Sequence, residues 1–94
     1  MEVEVRYYAS LREITQKRYE KIKIPKNSSI RYLIDTLVEK YGQSFQSNVY
    51  DKYRELRKQL SYVLNGVNIN NLNGVNTLLE DDDVFSLLPV AGGG

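Results

Sequence analysis

Between Glu2 and Ala9 apolar and polar residues alternate, with Val3, Val5 and Tyr7 on one side of an extended chain and Glu2, Glu4 and Arg6 on the other. That period of two marks a half-buried strand. Leu11 to Ile14 follows as a turn or short helical loop. A second strand is expected over Tyr19 to Ile24, with Ile22 and Ile24 inward, Lys21 and Lys23 outward, and Pro25 ending it, since proline donates nothing to a ladder. Asn27-Ser28-Ser29 supplies capping groups for a helix. In that helix Ile30, Leu33, Ile34, Leu37, Val38 and Tyr41 recur at a spacing of three and four, opposite Arg31, Asp35, Glu39 and Lys40. Gly42 is placed to close it in a left-handed cap.

The pattern then weakens. Over Gln43 to Leu60 the apolar stripe is thin, and Tyr50, Tyr53, Arg54 and Arg57 allow only a short polar helix or an irregular insertion. It recovers at Tyr62-Val63-Leu64, Asn65-Gly66 and Val67-Asn68-Ile69, a hairpin around the residue pair preferred where both central positions need positive φ. Asn73-Gly74 marks another tight turn, and Val84 to Leu88 reads as the last strand, closed by Pro89. The order of strand, strand, helix and returning strands fits an α+β fold with one main helix packed on one face of a mixed sheet. A β-grasp arrangement, with the first and last strands adjacent and parallel, is the natural candidate, and a ferredoxin-like fold is the alternative. The boundary falls after Pro89: residues 1–89 form the domain, and 90–94 a flexible, glycine-rich tail.

Composition narrows the chemistry by what it omits. The chain has 94 residues, a net charge of +1, no cysteine and no histidine. Thiolate nucleophiles, catalytic triads built on histidine, disulfides and the common zinc sites are thereby excluded. A base working near neutral pH would have to be a perturbed carboxylate or lysine, so the chain is poorly equipped to be an enzyme. Acids and bases are mixed, which argues against nucleic acid as a direct partner. Asp51/Arg54 and Glu55/Lys58 have the spacing of ion pairs on a solvated helix face. With no membrane-spanning run and no secretory signal, a soluble cytoplasmic protein is expected.

Two further features invite a chemical reading. The acidic run Glu80 to Asp83 lacks the spacing of a calcium loop and reads as a solvated turn. Of the eight tyrosines, Tyr7 and Tyr41 fit the core, whereas Tyr8, Tyr19, Tyr32, Tyr50, Tyr53 and Tyr62 are candidates for a protein-binding face. The closing Gly92-Gly93-Gly94 has no side chains to bury, and glycine loses the most backbone freedom on ordering. Such a segment suits an extended arm that threads a narrow active site and presents a terminal carboxylate.

Several segments, taken in order, resemble the MoaD/ThiS family of ubiquitin-like sulfur carriers, especially its longer archaeal branch. They are Val5 to Glu13, Val63-Leu64-Asn65-Gly66 with Ile69-Asn70, Leu72 to Leu79, Asp81 to Val84, and Leu87-Leu88-Pro89-Val90-Ala91-Gly92-Gly93. Three departures stand out: Asp82 replaces the usual glycine of an Asp-Gly-Asp turn, a single proline remains before the tail, and three glycines end the chain instead of two. Aspartate tolerates left-handed backbone angles, so the turn is expected to survive. The resemblance implies a carrier and protein modifier with no cofactor of its own. A separate adenylating enzyme of the ubiquitin-activating type would use ATP and magnesium to activate Gly94, or Gly93 if Gly94 is an extra residue. A sulfur-donor protein would then leave a thiocarboxylate, or a lysine of a target protein would form an isopeptide bond. A role as small subunit of molybdopterin synthase, its tail inserted into the large subunit, is the alternative; a non-covalent interaction module is a third. Phe85, Leu87, Pro89, Val90, Ala91 and Gly92 are the candidate partner contacts.

Overall fold

A computed structural model describes residues 1–90. The elements are β1 (Glu2–Tyr7), α1 (Ala9–Thr15), β2 (Tyr19–Lys23), α2 (Ile30–Tyr41), α3 (Gln43–Val49), β3 (Leu60–Leu64), β4 (Val67–Asn68) and β5 (Val84–Pro89), with 3-10 turns at Ile69–Asn71 and Gly74–Asn76. The sheet order is β2-β1-β5-β3-β4. The two central strands, β1 and β5, run parallel, with Val5 opposite Phe85 and Tyr7 opposite Leu87; the other pairs are antiparallel. This is the β-grasp arrangement, and it sets aside the ferredoxin-like alternative.

The alternation in β1 places Val3, Val5 and Tyr7 inside, and Ile22 and Ile24 join them. α2 lies across this face with Ile30, Leu33, Ile34 and Leu37 buried, its first turn capped by the Ser29 hydroxyl, which accepts from Tyr32 N–H at 3.1 Å. The weak segment departs from expectation. Its helix falls earlier, over α3, where Phe45 and Val49 are fully buried four residues apart. Phe45 packs edge-on against Tyr7 at 6.2 Å and stacks on Tyr41 at 5.7 Å. The segment after it is not helical, so the Asp51/Arg54 and Glu55/Lys58 pairs do not form. Asp51 Oδ1 instead accepts from the N–H groups of Tyr53 and Glu55, and Arg54 reaches across to Asp35 at 3.1 Å. Tyr50 and Tyr62 are buried, against the expectation of exposure, while Tyr19, Tyr32 and Tyr53 face solvent.

The three predicted glycine positions, Gly42, Gly66 and Gly74, all have positive φ. Asn65 and Gly66, at 51° and 84°, close the β3–β4 hairpin. Gly42 differs from the left-handed cap expected of it: at φ 83° and ψ −156° it lies in a region essentially reserved for glycine. Its N–H donates to Val38 O at 2.7 Å and its carbonyl accepts from Gln46 N–H at 3.1 Å, so one residue both ends α2 and starts α3. A Cβ there meets open space. Any cost of Gly42→Ala is therefore backbone strain alone, and urea titration should show a loss of about 1–3 kcal/mol. An unchanged midpoint would contradict this.

Candidate functional site

β5 carries the chain toward its glycines through the middle of the sheet. Strand alternation turns Phe85 and Leu87 inward, both fully buried, and leaves Val84, Ser86 and Leu88 on the open face. The side chains of Phe85 and Leu87 therefore hold the strand in the core and are not available as partner contacts. Pro89 closes β5 as expected, opposite Leu60, and just beyond it Val90 N–H donates to Gln59 O at 3.0 Å. Pro89 and Val90 are exposed, Val90 by 42 %. Ala91, Gly92, Gly93 and Gly94 lie outside the described residues.

A groove of about 280 Å³ opens beside this exit, lined by Val90, Leu60, Ser61, Arg57, Lys58 and Asn70 among others. Arg57 is fixed there, its Nε donating to Ser47 O at 2.7 Å and to Tyr50 O at 3.1 Å. Beneath it the Tyr62 hydroxyl donates to Arg57 O at 3.1 Å, and burial pushes that phenol's pKa up. Sequence reading placed Arg57 and Lys58 on a solvated helix. Only the β3–β5 register, which sets Leu60 opposite Pro89, brings them to the exit.

The most perturbed carboxylate lies elsewhere. Glu20 faces inward between the sheet and α2 and accepts hydrogen bonds from Tyr7 Oη at 2.6 Å, from Tyr41 Oη, from Lys40 Nζ at 2.7 Å and from Lys17 Nζ at 3.1 Å. Burial alone would raise its pKa. The donors, Lys40 foremost, outweigh burial and hold it down to about 2. Burial first, and then the bond to Glu20, pushes Tyr41 up to about 12 and Tyr7 higher still. A carboxylate this acidic is a poor base at neutral pH, so the cluster ties the helix to the sheet.

The acidic run serves the backbone. Asp81 Oδ1 accepts from Glu2 N–H at 2.7 Å, while Asp83 accepts from Glu80 N–H and from the Asn65 amide, each at 2.8 Å. Asp82 adopts φ 68°, the left-handed angle anticipated for it. Among the described residues no three acidic groups stand together to hold an ion, and no helix is long and apolar enough to cross a membrane.

Known proteins share this architecture. Small archaeal modifier protein 3 of Haloferax volcanii is 24 % identical over 94 residues, covering all of both chains. The small archaeal modifier protein 1 of Methanosarcina acetivorans superposes with a TM-score of 0.84 at 28 % identity, over 99 % of this chain and 96 % of that one. CysO of Mycobacterium tuberculosis superposes at 0.77 with 18 % identity, over 95 % and 99 % of the two chains. The sequence model of the ThiS family matches residues 5–94, from the first strand through the closing glycines. With the parallel central pair, the exit at Val90 and the glycine run in one frame, the chain belongs to the ThiS family.

Proposed function

We propose that this chain is a ubiquitin-like sulfur carrier and protein modifier that works through the carboxylate of its closing glycine, Gly94, or Gly93 if Gly94 is an extra residue. The observation that carries this reading is the exit geometry: among the described residues the central strand is followed by backbone bonding as far as Val90 N–H to Gln59 O. Ala91-Gly92-Gly93-Gly94 follows. Relatives named as modifier proteins match the chain over almost its whole length, which supports the same reading.

In this mechanism a separate adenylating enzyme holds ATP and magnesium. A carboxylate oxygen attacks the α-phosphorus, and pyrophosphate leaves. The acyl-adenylate so formed is a far better acyl donor than a carboxylate. A persulfide sulfur from a donor protein displaces AMP, and cleavage of the sulfur–sulfur bond by a thiol leaves a thiocarboxylate. Alternatively a target lysine amine displaces AMP and leaves an isopeptide bond. The carrier contributes the reactive group and a docking surface; its partners contribute the catalysis.

The test is intact and peptide-level mass spectrometry of the C-terminus on protein purified from its own cells. One terminal oxygen replaced by sulfur, or a terminal glycine joined to lysines of other proteins, is the expected result. A free carboxylate alone, even after incubation with the cell's adenylating enzyme and ATP, would overturn the proposal.

A further inference from the structure

On the flank of the tail exit away from Arg57, the outer side of β1 and β2 forms an open hollow of about 580 Å³ lined by Glu4, Arg6, Tyr8, Arg12, Arg18, Tyr19 and Lys21. Four cations face one carboxylate there, in a chain whose net charge as a whole is +1. The ladder builds it. Arg6 lies opposite Tyr19 and Glu4 opposite Lys21, Tyr7 N–H fixes Arg18 through its carbonyl at 2.9 Å, and α1 swings Arg12 over the Tyr8 ring at 5.4 Å.

The single carboxylate is already engaged, with Glu4 Oε2 accepting from Arg6 Nε at 2.6 Å. Arg12, Arg18 and Lys21 form no ion pair among the described residues. Arg12 Nε is buried without a hydrogen-bond partner, and Arg12 Nη2 reaches only Tyr7 O at 3.3 Å. Tyr19 is 63 % exposed beside them. The site is thus rich in forked donors, short of acceptors and bordered by a flat aromatic ring. It also lies toward the tail end of the sheet: β1 and β5 are parallel with Tyr7 opposite Leu87, and Tyr8 follows directly after that pair.

We propose that this hollow binds an acidic peptide segment, two or more carboxylates close together in sequence, on the enzyme that receives the tail. The proposal rests on the carrier reading for the partner's identity and on the hollow alone for the ligand's chemistry. Guanidinium groups suit paired carboxylates because both are planar and bond in parallel. A nucleic-acid strand fits less well. The adjoining concavity along β1 is lined by three carboxylates, Glu2, Glu4 and Asp82, against one cation, Lys21, so a phosphate backbone continuing that way would meet mostly negative charge, where strand-binding grooves carry continuous positive charge. Electrostatic docking at this place brings the exit at Val90 to the partner before the tail engages.

The test uses the full chain, labelled with nitrogen-15 and titrated with a short oligoglutamate peptide with blocked ends, in parallel with an oligouridylate of equal charge. Oligoglutamate should shift the amide signals of Tyr8, Arg12, Arg18, Tyr19 and Lys21. Arg18→Glu with Lys21→Glu, both at exposed positions, should weaken binding about tenfold or more. Lys23→Glu with Lys26→Glu makes the same change in charge outside the hollow and should alter it less than about twofold. In ATP–pyrophosphate exchange with the adenylating enzyme, the hollow variant should raise the half-saturating carrier concentration similarly and leave the maximal rate unchanged. Equal effects of the two double variants, absence of shifts in the hollow, or tighter binding of oligouridylate there would each overturn the proposal. If the unmodified chain supports no exchange at all, the carrier reading falls and the named partner with it. Failure confined to the hollow, with exchange intact, leaves the carrier reading standing.

Discussion

Glu20→Ala is expected to lower the unfolding free energy by about 2–4 kcal/mol, a large part of the roughly 5–10 kcal/mol usual for a domain of this size. Removing the carboxylate strands the Tyr7 hydroxyl, whose partner it is, inside the core. A buried donor left unpaired costs about 1–3 kcal/mol. The two lysines suffer less, since each is 44 % exposed and returns to water. Glu20→Gln keeps an acceptor and should fall between wild type and alanine.

The same cluster predicts a pH dependence. Because the folded carboxyl is held down to about 2 from an ordinary 4.5, its contribution is complete above about 4.5 and is lost as the pH falls toward 2. Tyr41, raised to about 12 from 10, works in the opposite sense: its contribution is complete below about 10 and is lost as the pH climbs toward 12. Urea midpoints of wild type and Glu20→Gln measured at pH 7 and pH 3 check the acid arm. The gap between the two proteins should narrow in acid, and an equal gap at both values would contradict the assignment.

The second large effect concerns the tail. Gly93→Val in the full chain should reduce ATP–pyrophosphate exchange by about 100-fold or more, the penalty typical of misplacing a reacting group by an ångström. A branched side chain next to the reacting carboxylate widens an arm that must enter an active site as bare backbone. Thermal unfolding should be unaffected, because a glycine has no side chain to give the core, and the buried residues of β5 are Phe85 and Leu87. Retention of most of the exchange activity would show that the glycines do not thread a confined site.

Much of this fold is legible in the residues because local and tertiary demands agree. The strands' alternation, the α2 stripe behind the Ser29 cap and the Asn65-Gly66 turn each answer to one dominant force. α3 was harder to read because its buried stripe is just Phe45 and Val49, and the sheet supplies the rest of their environment. Glu20 did leave a signal. It shares the parity of Ile22 and Ile24 in β2, which put an acid on the inward face, but its partners Tyr7, Lys17, and the adjacent Lys40 and Tyr41 come from three parts of the chain. At the candidate site the glycines could be singled out by type. The exit could not, because Arg57 and Gln59 reach it through strand register, which no local pattern encodes.

The central position of β5 also has a mechanical meaning. A force applied through the tail runs along a strand bonded to β1 over four residues on one side and to β3 over five on the other. Such a pull loads both ladders in shear, so their bonds must yield together instead of peeling one at a time. A molecule tethered to another protein by its last residue, and tugged there, is thus held at the point where its sheet is hardest to unravel.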